Sequence, residues 1–120
     1  MKYTHDYTFL EIIDLTKTYY NKLVRDKIPD IISSEFKISK TRTLNDEEFK
    51  RSLTRKLMEE VIEFISTPNI EELADIIEVI HSLADSLNSN IDEVETIRLS
   101  KKINRGGFDN RLFLEYVEVN

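Results

Sequence analysis

The stretch KLMEEVIEFISTPNIEELADIIEVI, residues 56–80, predicts two antiparallel helices separated by the short break Thr67-Pro68-Asn69. Apolar residues recur at helical spacing on both sides, and so short a connection leaves the two helices packed side by side. Carboxylates resist burial and repel one another, so they are unexpected next to apolar residues. Both helices nevertheless carry acids beside their apolar positions: Glu59, Glu60, Glu63, Glu72 and Asp75.

Asparagines mark the beginnings of the predicted long helices. Asn45 and Asn69 each precede an apolar, helix-periodic segment and each is followed three residues later by Glu, which is the pattern of an N-terminal cap. Asn90 is predicted to begin a third helix, which the Gly106-Gly107 pair stops. Pro29 fits the first turn of a shorter, earlier helix. The long helices are expected over residues 46–66, 70–87 and 90–104.

The fold class predicted from these patterns is all-α, an antiparallel helical bundle. Residues 37–44 and 111–119 are rich in β-branched or aromatic residues, so we expect them to pair as a small peripheral two-stranded element. The apolar stripes of the two central helices are broad for a chain of 120 residues. The bundle is therefore expected to be completed by dimerisation, as a homodimer or a dimer of dimers.

Composition restricts the function. With 40% hydrophobic and 33% charged residues the chain is typical of globular proteins, and its net charge of −6 disfavours general binding to nucleic acid or to anionic membranes. The chain has no cysteine, so a metal must be bound by oxygen atoms or by the two histidines. Neither a secretory segment nor a membrane-spanning run is apparent, and a cytoplasmic location is expected.

Helical geometry places the acids close together. At about 100° per residue, Glu60 and Glu72 border the apolar stripes of their helices, and Glu63 and Asp75 lie close to those borders. Packing of the two stripes would bring the four carboxylates together across the interhelical seam. Their repulsion is best relieved by a divalent cation, and an all-oxygen shell favours Mg²⁺, with Mn²⁺ as a close substitute.

An ordinary solvated face is the alternative explanation of these acids. Glu is a good helix former, and acids in the first turn of a helix are favoured by its dipole. From spacing alone both explanations stay open for the four border acids. A solvated face accounts for the remaining helical acids without any metal: Glu47, Glu48, Glu78, Glu93 and Glu95.

The acidic motif resembles a known signature. Glu59-Glu60-x-x-Glu63 followed by Glu72-x-x-Asp75 is similar to the motif of the MazG-like superfamily of all-α nucleoside triphosphate pyrophosphohydrolases. The segments YNKLVRDKIPDII (20–32) and RGGF (105–108) resemble flanking motifs of its phosphoribosyl-ATP pyrophosphohydrolase-like, or house-cleaning, branch. The resemblance covers about residues 20–118. We therefore interpret 20–120 as one such domain and 1–19 as an N-terminal extension whose role is open.

The resemblance implies Mg²⁺-dependent hydrolysis of the α–β phosphoanhydride of a nucleotide, which releases a nucleoside monophosphate and pyrophosphate. It implies that Glu59, Glu60 and Glu63 are catalytic, with Glu59 orienting or deprotonating a water. The implied metal ligands are Glu60, Glu63, Glu72 and Asp75.

A triphosphate substrate also requires cations from the protein. The candidate substrate-binding residues are Arg25, Lys27, Lys101, Lys102, Asn104 and Arg105. Basic residues near a helix end are also explained by the helix dipole, so this alternative stays open. Two other functions stay open as well. One is hydrolysis of phosphoribosyl-ATP or of an alarmone-type nucleotide, and the other is a non-catalytic helical interaction module.

Overall fold

The computed structural model describes residues 16–120, and this part of the chain is all-α, as predicted. The chain divides into two compact units, Met1–Thr41 and Arg42–Asn120. None of the helices within residues 16–120 combines the length and the apolar character needed to cross a lipid bilayer. The helices are α1 (Ile28–Ser34) in the first unit, and α2 (Asp46–Ser66), α3 (Ile70–Ser86) and α4 (Ile91–Arg105) in the second.

Helix α1 has defined signals at both ends. Pro29 lies in its first turn, where a missing backbone N–H costs nothing. The helix ends in a Schellman turn, in which the N–H of Lys37 donates to the carbonyl oxygen of Ile32 at 3.2 Å. Phe36 takes the left-handed position of that turn, with a φ of 59°. Residues 1–15, most of the predicted N-terminal extension, lie outside the described residues.

The three long helices begin at the predicted asparagines. The side chain of Asn45 accepts a hydrogen bond from the backbone N–H of Glu48 at 2.9 Å, and the Glu48 carboxylate accepts one from the N–H of Asn45, which completes a capping box. Such a cap satisfies backbone donors that the helix itself leaves without a partner. Equivalent hydrogen bonds of 2.9 Å are present at the start of the other two helices. The N–H of Glu72 donates to the side chain of Asn69, and the N–H of Glu93 donates to the side chain of Asn90.

The ends of the long helices depend on residues that tolerate a left-handed backbone. Asn88 follows α3 with a φ of 59°, and the N–H of Ser89 donates to the carbonyl oxygen of Ala84 at 3.0 Å, as in a Schellman turn. Asparagine therefore fills a position that glycine commonly takes. Helix α4 ends at Gly106, whose φ is 87°, so the predicted glycine stop is confirmed.

The core lies between α2 and α3. These two helices make the most extensive helix–helix contact of the second unit, and α4 packs on α3 through a smaller one. Three residues are buried among those the structure describes, Leu53 of α2 and Val79 and Ala84 of α3, and Leu53 is 3% exposed. The half-buried apolar residues around them are Leu57, Phe64, Ile76, Ile80 and Leu83.

The predicted two-stranded element is absent. Over residues 16–120 the structure contains no strand, and both 37–44 and 111–119 lack regular secondary structure. A strand forms only when a second strand completes its hydrogen bonds, whatever its side-chain pattern. The end of the first segment instead supports the start of α2, because Arg42 donates two hydrogen bonds, of 3.2 and 2.7 Å, to the Glu48 carboxylate.

Candidate metal centre

Three acidic side chains converge where α2 meets the beginning of α3. One carboxylate oxygen from each of Glu60, Glu72 and Asp75 lies within 4.8 Å of the others, and all three residues are half-buried. Glu60 comes from α2, and the other two come from the first turns of α3. We call these three residues the carboxylate cluster. The structure thus brings together three of the four residues that the sequence predicts as metal ligands.

The cluster follows from helical spacing and from the short connection. Glu60 lies about 20° around α2 from the buried Leu53, so it occupies the side that faces α3. The three-residue connection places the first turn of α3 beside α2. Asn69 caps that turn through the N–H of Glu72, and Asp75 follows one turn later on the same side. The Asn69 cap, the spacing of Glu60 from Leu53 on α2 and the spacing of Asp75 from Glu72 on α3 therefore position all three carboxylates.

Negative charge is concentrated in the cluster, and its effect is seen on Glu72. Burial raises the pKa of Glu72 above its ordinary value, and the neighbouring negative charges raise it further. The neighbours responsible include Asp75, Glu63 and Glu60, in decreasing order of effect. A carboxyl whose pKa is raised in this way binds a proton more readily than usual. The same environment favours a metal cation, which can take the place of that proton.

A lysine lies at the edge of the cluster. The ammonium nitrogen of Lys56 is 3.3 Å from a carboxylate oxygen of Glu60, and the two side chains are only 18% and 13% exposed. Lys56 is not among the residues predicted from sequence. The signal that identifies it is its position four residues before Glu60, which puts a Lys and a Glu on the same side of one helix.

The two remaining predicted acids lie around the cluster. Glu63 is exposed and is not part of the three-way group, yet its negative charge helps to raise the pKa of Glu72. Glu59 is half-buried and precedes Glu60 directly on α2. Glu63 therefore adds negative charge to the surroundings of the cluster without being one of its three members.

The predicted substrate-binding residues come from other parts of the chain. Arg25 and Lys27 belong to the unit Met1–Thr41, where the carbonyl oxygen of Arg25 accepts from the N–H of Ile28. Lys27 directly precedes α1, and its carbonyl oxygen accepts from the N–H of Ile31, but its side chain makes no capping hydrogen bond. The other candidates lie at the end of α4, whereas the carboxylate cluster is built by α2 and α3. Their side chains are all exposed: Lys101, Lys102, Asn104 and Arg105.

The donor set of the cluster suits a hard divalent cation. Carboxylate oxygens are preferred ligands of Mg²⁺ and Mn²⁺, and Mg²⁺ commonly uses a few carboxylates while it keeps several waters. A half-buried position leaves one side open to solvent and to a ligand. Such an arrangement can hold a cation and present it to phosphate oxygens.

Comparison with known proteins identifies no relative. The carboxylate cluster and its surroundings are therefore the basis for assigning a function. No protein-family model, curated protein or solved structure matches this chain.

Proposed function

We propose that this chain is a Mg²⁺-dependent nucleotide pyrophosphohydrolase, which hydrolyses the α–β phosphoanhydride of a nucleoside triphosphate to a monophosphate and pyrophosphate. The observation that supports this proposal is the convergence of Glu60, Glu72 and Asp75 from two helices. The order of these acids in the sequence resembles the MazG-like signature. A MazG-like bundle, a cytoplasmic location and a house-cleaning role are parts of the same proposal.

In this proposal the cluster binds the metal. Glu60, Glu72 and Asp75 hold Mg²⁺ or Mn²⁺, and Glu63 joins them as a fourth ligand. The raised pKa of Glu72 is consistent with this assignment, because burial, the larger cause, and the negative charge of neighbouring acids both disfavour a bare carboxylate that a cation would stabilise. When bound, the cation offsets phosphate charge and lowers the pKa of an attacking water.

The other residues of the chain have distinct roles in the proposal. Glu59, next to the cluster, orients the attacking water and accepts its proton. Lys56 supplies positive charge beside Glu60, where it can contact a phosphate oxygen. Arg105, at the end of α4, is the leading candidate to bind the outer phosphates, since guanidinium groups form paired hydrogen bonds to phosphate oxygens.

Pyrophosphate release is the measurement that tests the proposal. The panel should contain ordinary and oxidised nucleoside triphosphates, phosphoribosyl-ATP and a pyrophosphorylated guanosine nucleotide, each with Mg²⁺ and with a chelator. We expect Mg²⁺-dependent release from at least one of them. Asp75→Asn should lower kcat/KM by at least about 100-fold, because it weakens a metal ligand. Glu78→Gln, on the same helix but outside the cluster, should leave kcat/KM nearly unchanged.

Two outcomes would contradict the proposal. If no nucleotide of the panel releases pyrophosphate in a Mg²⁺-dependent manner, the non-catalytic interaction module becomes the better explanation. If release occurs but Asp75→Asn has no more effect than Glu78→Gln, the reaction takes place away from the carboxylate cluster.

A further inference from the structure

Helix α2 is apolar on two opposite sides. One side contains Leu53 and packs against α3. The other side carries Met58, Ile62 and Ile65, which follow one another at spacings of four and three residues and lie about 140–200° around the helix from Glu60. All three are exposed, and Ile65 is 70% exposed. We call these three residues the outer face of α2.

The C-terminal segment presents a second apolar surface. Residues 111–119, which we call the C-terminal arm, follow α4 without forming a helix or a strand. Charged residues separate some of the apolar positions of the arm but do not cover them. Its large apolar side chains are all exposed: Leu112, Phe113, Leu114, Tyr116, Val117 and Val119.

Many of the apolar side chains of the unit Arg42–Asn120 are therefore exposed in a single chain. A side of a helix that carries several large apolar residues is normally covered by another element or by a partner. Here the described residues include only three buried ones, Leu53, Val79 and Ala84. Exposed apolar surface on this scale, gathered on one helix face and one continuous segment, marks a site of protein association.

We propose that two copies of this chain associate by exchanging C-terminal arms, so that the arm of each copy covers the outer face of α2 of the other. Both surfaces belong to the unit Arg42–Asn120, yet each remains exposed within the single chain. A second copy brings both missing partners at once. A two-fold axis then repeats the same contact twice, which gives a closed dimer.

The area of the arm agrees with what a stable dimer requires. Two aromatic and four aliphatic side chains offer on the order of 750 Å² of apolar surface per arm. If half of that area is buried in each of two arms, against an equal area of the two outer faces, the interface totals about 1,500 Å². Specific and stable protein interfaces bury roughly 1,200–2,000 Å².

Sedimentation of the full chain tests the association itself. At about 10 µM, a typical concentration for such measurements, we expect a mass twice the 14.2 kDa of one chain. Ile62→Lys places a charge on the outer face and should weaken dimerisation by at least about tenfold, while circular dichroism shows that the helices are retained. Ile103→Lys makes the same change at an exposed isoleucine of α4, and it should leave the mass unchanged. A monomer at every concentration tested would overturn the proposal.

Cross-linking tests the exchange of arms. The chain has no cysteine, so single cysteines can be introduced without background. We would mix two proteins, Ile65→Cys and Leu114→Cys, allow the copies to exchange, and oxidise them. A disulfide that joins the two proteins is expected in far higher yield than in a mixture of Ile103→Cys with Leu114→Cys. Equal yields would refute the arm contact. Neither experiment depends on nucleotide hydrolysis, so its result is separate from that of the proposed function.

Discussion

The ammonium nitrogen of Lys56 lies 3.3 Å from a carboxylate oxygen of Glu60, one turn away on α2, and both side chains are largely covered. The protein thus provides its own cation at one corner of the carboxylate cluster. This cation neutralises part of the negative charge, and it also competes with any metal for the same carboxylate. The balance between these two effects can be measured.

Lys56→Met keeps most of the side-chain volume and removes the charge. We expect divalent cations, with Mn²⁺ as the calorimetric probe, to bind on the order of tenfold more tightly, since one positive charge a few ångströms from the cluster is lost. Arg55→Met removes the same charge at a position about 140° around α2 from Glu60, and it should change the affinity little. Weaker Mn²⁺ binding by Lys56→Met than by Arg55→Met would show that Lys56 supports the site.

Glu72 links stability to pH. Because burial and neighbouring acids raise its pKa, the folded state binds the Glu72 proton more tightly than the unfolded state does. The free energy of unfolding therefore falls as pH rises from the ordinary carboxyl pKa through the raised one. Without metal, Glu72→Gln should be more stable than the native chain at neutral pH and no more stable near pH 4, as measured by denaturant unfolding.

Mg²⁺ supplies the control for that experiment. A saturating concentration should stabilise the native chain at neutral pH and reduce or reverse the advantage of Glu72→Gln, because the substituted site binds the ion poorly. Glu78→Gln should behave as the native chain does in all conditions. A stability advantage of Glu72→Gln that persists unchanged at low pH would mean that it has another origin.

The Asn69 cap connects helix stability to the cluster. Asn69→Ala should lower the free energy of unfolding by about 1 kcal/mol, since the N–H of Glu72 loses its acceptor. Asn90→Ala removes an equivalent 2.9 Å bond at the start of α4 and should have a similar cost. Only Asn69→Ala is expected to weaken Mn²⁺ binding as well, because only that cap positions a cluster residue. Equal Mn²⁺ affinities in the two variants would contradict this role.

Phe36 offers a simple route to a more stable α1. Its φ of 59° is costly for a residue with a Cβ atom, and its side chain is 99% exposed, so almost no packing is lost when it is removed. Phe36→Gly should stabilise the turn by about 1 kcal/mol. The slowed hydrogen exchange of the Lys37 amide, which donates to Ile32, would report this change. Phe36→Ala keeps the Cβ atom and should show little of the effect.

The helices of this protein are predictable because their signals are local. Asn45, Asn69 and Asn90 lie directly before the segments that they cap, and Gly106 lies directly after α4, so a short window of sequence contains the whole interaction. The packing of α2 on α3 is predictable for a related reason, since a three-residue connection permits little other than an antiparallel pair.

The predicted strands were wrong because a strand depends on a partner that a local pattern does not specify. Residues 111–119 have the composition of a strand, but 37–44 does not pair with them in the described chain. Lys56 is not predicted for a different reason. A pattern of basic residues suited to phosphate binding does not include it, because what identifies Lys56 is its distance of one helical turn from Glu60.

The connection Thr67–Asn69 has a consequence for how this sequence can vary. Because only three residues connect α2 to α3, deleting one of them would shorten the reach of the connection by up to about 3.5 Å. The start of α3 would have to move, and Glu72 and Asp75 would move away from Glu60, although no acidic residue had been changed. A shorter loop is therefore tolerated less well than a different loop sequence, and a single-codon deletion should be more damaging there than most amino-acid replacements.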